Sequence, residues 1–145
     1  MDERLKILLI DDDELLISDA HGLGHPDIEF SSLTRARAAA SRKLLAKFDV
    51  VAIAVDAPGA LDLIGELCLR EGMPPVIALG RHGTLGRSLE QILTLAEMRG
   101  AALALPKPID AIELALAALE LIGRRSPEKT QVSMLVKDLE RRLAY

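Results

Sequence analysis

The run DVVAIAV, residues 49–55, holds no polar side chain from Val50 to Val55. A strand with one wet face alternates apolar and polar residues, so an unbroken apolar run closed by Asp56 and Pro58-Gly59 describes a strand covered on both faces. Helices on both sides of a parallel sheet provide that cover. The rest of the chain repeats the pattern. LKILLI at 5–10, PPVIALG at 74–80 and AALALP at 101–106 read as strands, and IEFSSL at 28–33 as a weaker one. Between them lie stretches of helical period: DDDELLISDA from residue 11, ARAAASRKLLAKF at 36–48, ALDLIGELCLREG at 60–72, SLEQILTLAEMRG at 88–100 and DAIELALAALELIG at 110–123. Five βα units therefore fill residues 5–122 as a doubly wound α/β sheet.

Composition closes off several classes of function. Phe30, Phe48 and Tyr145 are the whole aromatic set, which leaves no platform for stacking single-stranded bases. A formal charge of -4 is the wrong sign for a phosphate-binding surface, so nucleic acid is not an expected partner. Cys68 is the only cysteine; it permits no intrachain disulfide and reads as structural. The start MDERLK carries no charged-then-apolar leader, and no apolar run approaches the ~20 residues that span a bilayer. The expectation is a cytoplasmic protein with no membrane contact.

The end of the chain is less ordinary. In the fifth helix, Asp110 and Glu113 stand in capping-box relation, and Glu113 and Glu120 are its only charged residues beyond the cap. Apolar or Ala surface covers most of the circumference, including Leu116 and Leu119, so burial beyond the sheet-facing stripe is expected. After the linker GRRSPEKTQ, with Ser126 as N-cap and Pro127 at the first helical position, Val132, Leu135, Val136, Leu139 and Leu143 form a stripe opposite Lys137, Asp138, Arg141 and Arg142. The reading divides the chain into residues 1–122 and a linker with an amphipathic helix at 123–145. That helix docks back, pairs with a second copy, or leads into a further domain.

Chemistry in an open parallel sheet gathers at the carboxyl ends of its strands. Here those ends carry Asp11, Asp12 and Asp13 after the first strand, Asp56 after the third, and Lys107-Pro108 after the fifth. Carboxylates and a lysine converging on one edge suit a hard divalent cation and a phosphoryl group.

LLIDD at 8–12 and LPKPI at 105–109, each at a strand tip of a five-unit α/β chain, together resemble the receiver domain of bacterial two-component response regulators. The resemblance covers residues 5–122 and implies a flavodoxin-like fold. It makes Asp11 and Asp12 the Mg²⁺-binding pair and Lys107 the contact to a phosphoryl oxygen, beside a Lys-Pro bond that is often cis. The family pattern also runs Asp, four apolar residues, the phosphoacceptor Asp, three residues, then Pro-Gly. Laid on DVVAIAVDAPG, it brings Asp49 and Pro58-Gly59 into register and puts Ala54 at the acceptor position.

Two more positions depart from the pattern. The hydroxyl residue after the fourth strand falls at Gly80, and the aromatic switch three residues before the lysine falls at Ala104. The chain therefore reads as a degenerate, or pseudo-, receiver that is not an enzyme. The alternative keeps Asp56 as acceptor through a two-residue strand shift, which preserves the face on which its side chain points. With one carboxylate fewer, Mg²⁺ should bind weakly, with Asp56 as a replacement ligand.

The loop GRHGTLGRS at 80–88, with Arg81, His82 and Arg87, offers a third reading as a nucleotide or anion sensor, although its glycines fit no phosphate-loop spacing and a flexible surface loop is the simpler expectation. His21 and His25 read as loop residues. Regulation by protein contact follows as the expected function, through a homodimer, an output domain of the same protein or a sensor histidine kinase, with the fifth and terminal helices as the surfaces. SPEKTQVSMLVKDLERRLAY is similar to the joining segment ahead of EAL-type cyclic-di-GMP phosphodiesterase domains in some response regulators, though no EAL catalytic residue is present.

Overall fold

In the first strand the even positions Leu8 and Ile10 face one way and the odd positions Leu5, Ile7 and Leu9 the other, and all five are buried. The strand is thus apolar on both sides and needs cover on both. A computed structural model of the chain, which describes residues 4–33, 41–125 and 137–141, supplies it. Five parallel strands form one sheet in the order β2-β1-β3-β4-β5. They are β1 Leu5–Ile10, β2 Ile28–Leu33, β3 Val50–Ala54, β4 Val76–Gly80 and β5 Leu103–Pro106. The helices between and after them are α1 Glu14–Gly22, α2 Arg42–Leu45, α3 Ala60–Cys68, α4 Leu89–Met98 and α5 Ala111–Arg125.

The two sheet faces carry separate cores. Leu8, Ile10, Val51 and Ile53 pack with Leu63, Ile64 and Leu67 of α3 and with Ile92 and Ala96 of α4. On the other face Ile7, Leu9, Ala52 and Leu79 pack with Leu16 of α1 and with Leu114, Ala118 and Leu119 of α5. β3 is buried along its whole length, as its unbroken apolar run requires. Its start is fixed by Asp49, whose carboxylate accepts the Lys6 N–H at 2.8 Å while its own N–H donates to the Lys6 carbonyl at 2.9 Å.

Most elements fall where the apolar periodicity puts them, with shorter ends. α3 stops at Cys68 rather than running to residue 72, and β5 begins at Leu103. α2 is a single turn over Arg42–Leu45, and the upstream part of the stretch expected as its helix, up to residue 40, lies outside the described residues. α5 continues past Gly123 to Arg125. Its first turn is capped twice: Asp110 accepts the Glu113 N–H at 2.8 Å, and Asp19 of α1 accepts the Ala111 N–H at 2.7 Å.

Of the terminal helix, residues 137–141 are described and are helical; Ser126, Pro127, Val132, Leu135, Val136 and Leu143 lie outside the described residues. Leu139 is 0% exposed and belongs to the core under α1 and α5, and Leu119 is 1% exposed in that same core. Both were expected at a contact between chains or domains. Among the described residues both pack within this chain, Leu139 from residues 137–141 onto the core beneath α1 and α5. Leu116 is half-buried.

Candidate functional site

With β2 and β3 on either side of β1, the strand order reverses at β1, and the crevice at the carboxyl ends of β1 and β3 is where such sheets place function. The sequence delivers three consecutive acids there. Asp11 leaves β1 pointing inward and is buried, Asp12 is exposed, and Asp13 is the N-cap of α1. The capping role of Asp13 is visible in its bonds: its Oδ1 accepts the N–H groups of Leu15 at 3.1 Å and Leu16 at 3.3 Å. Asp11 Oδ1 in turn accepts the Asp13 N–H at 3.0 Å, which bends the chain from strand into helix.

Lys107 closes the crevice from the end of β5. Its N–H donates to the Gly80 carbonyl at 2.8 Å, and the Lys107-Pro108 peptide is cis. The ammonium reaches Asp11 Oδ2 at 2.5 Å and Asp13 Oδ2 at 3.4 Å. The side chains of Lys107 and Asp11 are 2% and 4% exposed, so this is an ion pair inside the protein. Apart from that ion pair, Asp11 Oδ2 accepts no hydrogen bond among the described residues. Arg81, the first residue after β4, approaches Asp13 Oδ2 at 3.4 Å from the solvent side. Burial opposes ionisation of Asp13, but the Leu16 N–H, Lys107 and the Leu15 N–H outweigh it and hold its carboxyl below the usual range.

Asp11, Asp12, Asp13 and Asp56 line one open cavity of about 310 Å³, together with Ala57, Pro58 and Arg81. Four carboxylates at one cavity invite a divalent cation, and two of them are committed to partners within the protein. Asp11 is turned onto Lys107, and Asp13 onto a helix N-terminus and two cations, while Asp12 and Asp56 remain exposed. Among the described residues no group of three or more His, Cys, Asp or Glu side chains is disposed to hold a metal ion.

The positions read as lost sit around this crevice. Ala54 ends β3 and is 1% exposed; Ile53, just before it, pairs in register with Ile10, just before Asp11. Asp56 lies two residues past the strand, in the turn before α3, and shares the cavity without pairing to Lys107 among the contacts described. Gly80 ends β4, and a Cβ built on it would stand 2.9 Å from Leu93 Cδ2 and 3.0 Å from Ile92 Cγ2, so α4 has closed over the place of a side chain. Ala104 is half-buried and packs against the core beneath α3 and α4.

The loop after β4 is wound on itself rather than open. Thr84 Oγ1 donates to the Arg81 carbonyl at 2.8 Å, and Gly83, Leu85 and Gly86 all take positive φ around a short 3-10 turn. Arg81 reaches into the acidic crevice. Two residues that the sequence left as unremarkable acquire roles. Asp13 caps α1 and pairs with Lys107 and Arg81. His25 is buried and paired with Asp138, which no local pattern announces.

No protein-family model matches the chain, and no curated protein matches it significantly. Solved structures do match. A receiver domain of the Francisella response regulator 1452 superposes with a TM-score of 0.67 at 21% identity, over 85% of this chain and 100% of the other. A Burkholderia pseudomallei response regulator, solved with a phosphorylated aspartic acid, calcium ion and citrate, gives 0.59 at 22% identity, over 85% and 74%. An orphan response regulator of H. pylori gives 0.62 at 16% identity, over 83% and 98%. At these identities the likeness is one of architecture, and the five-stranded sheet with its 2-1-3-4-5 order has the fold of response-regulator receiver domains.

Proposed function

We propose that the chain is a receiver-type regulatory module that works through protein contact and not through phosphoryl transfer. The observation that carries the reading is the end of β3, where the acceptor position holds the buried methyl group of Ala54. Lys107, the residue the family would turn toward a phosphoryl oxygen, is neutralised by Asp11 at 2.5 Å, and the neighbouring hydroxyl position is filled by α4 side chains over Gly80. Weakened Mg²⁺ binding follows from the commitment of Asp11 and Asp13 to partners within the protein.

Contact surfaces are supported by the face formed by β5 and α5. A groove of about 560 Å³ there is lined by Leu105, Pro106, Ile109, Leu116 and Ala117, with Glu113, Glu120 and Glu140 also on its walls. A second copy, an output domain such as an EAL phosphodiesterase, and a sensor kinase are the partners this reading admits. No helix among the described residues is long and apolar enough to cross a membrane.

Intact-mass analysis after incubation with acetyl phosphate and Mg²⁺ tests the reading, beside Asp56→Ala. The expected result is no phosphoryl adduct on either protein. Asp56 shares the cavity with Asp11–Asp13, so it is the acceptor of the rival reading. An adduct present in the parent and lost in Asp56→Ala establishes that rival.

A further inference from the structure

The outer side of α5 carries a second pattern beside the one that packs it on the sheet. Ala111, Leu114, Ala115 and Ala118 are buried in the core, whereas Glu113, Leu116, Ala117 and Glu120 follow at i, i+3, i+4 and i+7 and so share the opposite side of the helix. Leu116 and Ala117 are half-buried. They lie between two exposed carboxylates about 10 Å apart along the axis, at a rise of ~1.5 Å per residue. β5, the edge strand of the sheet, supplies the other wall. Its Leu105 and Pro106, with Ile109, line the groove of about 560 Å³ together with this side of α5, and Glu140 adds a third carboxylate. Among the described residues no lysine or arginine lines it.

An apolar floor with carboxylates as its only charged lining selects its occupant by sign. A second copy seated about a two-fold axis would set the three carboxylates of one chain against those of the other, a like-charge contact that costs affinity. An anionic lipid surface is repelled for the same reason. Desolvation, and then the neighbouring Asp110 carboxyl, already raise the pKa of Glu113, so a cation brought beside it relieves a charge that its surroundings disfavour. We infer that the groove takes a basic amphipathic helix of a partner protein, with leucine-type side chains over Leu116 and Ala117 and lysines or arginines, two turns apart, against Glu113 and the other acids of the rim. A helix that docks by its i, i+3, i+4 and i+7 anchors meets the same spacing on α5. The apolar centre supplies affinity, and the rim charges set orientation and exclude acidic partners. The inference names the partner chemistry of the contact surface proposed above and rests on that reading.

Fluorescence anisotropy at pH 7 on the full chain tests the assignment, with a labelled synthetic helical peptide that carries leucine pairs between lysines seven residues apart. The parent should bind it about tenfold or more tighter than a scrambled peptide of the same composition, and tighter still than the version with glutamate for lysine. Glu113→Lys with Glu140→Lys should weaken the lysine peptide about tenfold and strengthen the glutamate peptide. Glu71→Lys with Glu97→Lys makes the same change in net charge after α3 and on α4, the helices of the other sheet face, and should leave both affinities within about twofold. All four positions are exposed. If the reversals unfold the chain, Glu113→Gln with Glu140→Gln gives the same direction at about threefold. Absence of binding by the parent, equal affinity for the ordered and scrambled peptides, or equal losses in the two lysine double variants overturns the assignment. So does a parent dimer in sedimentation that Leu116→Glu dissociates, because the occupant is then a second copy. Acetyl phosphate separates the two readings: a phosphoryl adduct with the peptide preference intact refutes the phosphorylation-independent function and leaves the groove assignment standing, whereas no adduct and no preference does the reverse.

Discussion

Replacing Lys107 by Met removes one charge and keeps most of the side-chain stem. The ammonium and the Asp11 carboxylate are 2% and 4% exposed and 2.5 Å apart, so no solvent screening discounts the pair. Without Lys107, Asp11 is a buried carboxylate whose Oδ1 keeps the Asp13 N–H and whose Oδ2 faces nothing. Breaking a buried pair from one side costs about 3–5 kcal/mol. A carboxylate has an escape, because taking a proton at pH 7 costs about 4 kcal/mol, and this caps the loss. A destabilisation of about 3–4 kcal/mol lowers Tm by about 10–13 °C for a chain of this length. Urea unfolding at pH 7, followed by far-UV circular dichroism, measures it. The paired variant Asp11→Asn with Lys107→Met should recover most of the loss, since Asn keeps the bond to the Asp13 N–H and no charge remains unpaired. A loss below about 1 kcal/mol in Lys107→Met, the worth of a solvated surface pair, refutes the buried-pair argument. So does a double variant as unstable as the single.

Gly80→Thr should cost about 1–3 kcal/mol by thermal unfolding, because its Cβ meets Leu93 and the fully buried Ile92 of α4 at 3.0 Å or less. Leu93 can swing aside, but Ile92 is β-branched and walled in. Glu113 is the opposite case. Desolvation, and then the neighbouring Asp110 carboxyl, raise its pKa, so its ionised form opposes folding. The cost is full above the raised folded pKa and vanishes below the unfolded value of about 4.3. Glu113→Gln should therefore raise Tm slightly at pH 7 and leave it unchanged near pH 3.5; an equal shift at both values contradicts the assignment.

What the sequence made legible depended on how local each signal was. β1 and β3 could be read because central parallel strands are apolar on both faces, and Val50–Val55 has no other use. Asp11 and Lys107 were found as strand-tip residues, although 96 positions apart, because the five-unit pattern places both tips on one edge. A run of three acids after a strand does not say which one caps the helix. Only the start of α1 at Glu14 decides that. Arg81 was hidden in a glycine-rich loop whose path no periodicity fixes. His25 was beyond reach, since its partner lies 113 residues away and is itself an ordinary surface acid in the helical pattern.

The bond from Ala111 to Asp19 joins helices 92 residues apart in the chain. Its consequence concerns the order of events during synthesis. The acceptor is made long before the donor, and β1, which carries α1, is in place to pair with β2 and then with β3. The early half of the chain thus presents a ready terminus for α5, and that helix is received by a partner already waiting. A chain begun instead at β3 would make α5 with its first turn capped by Asp110 alone. For a protein assembled from its amino end, the direction of translation and the placement of this hydrogen bond agree.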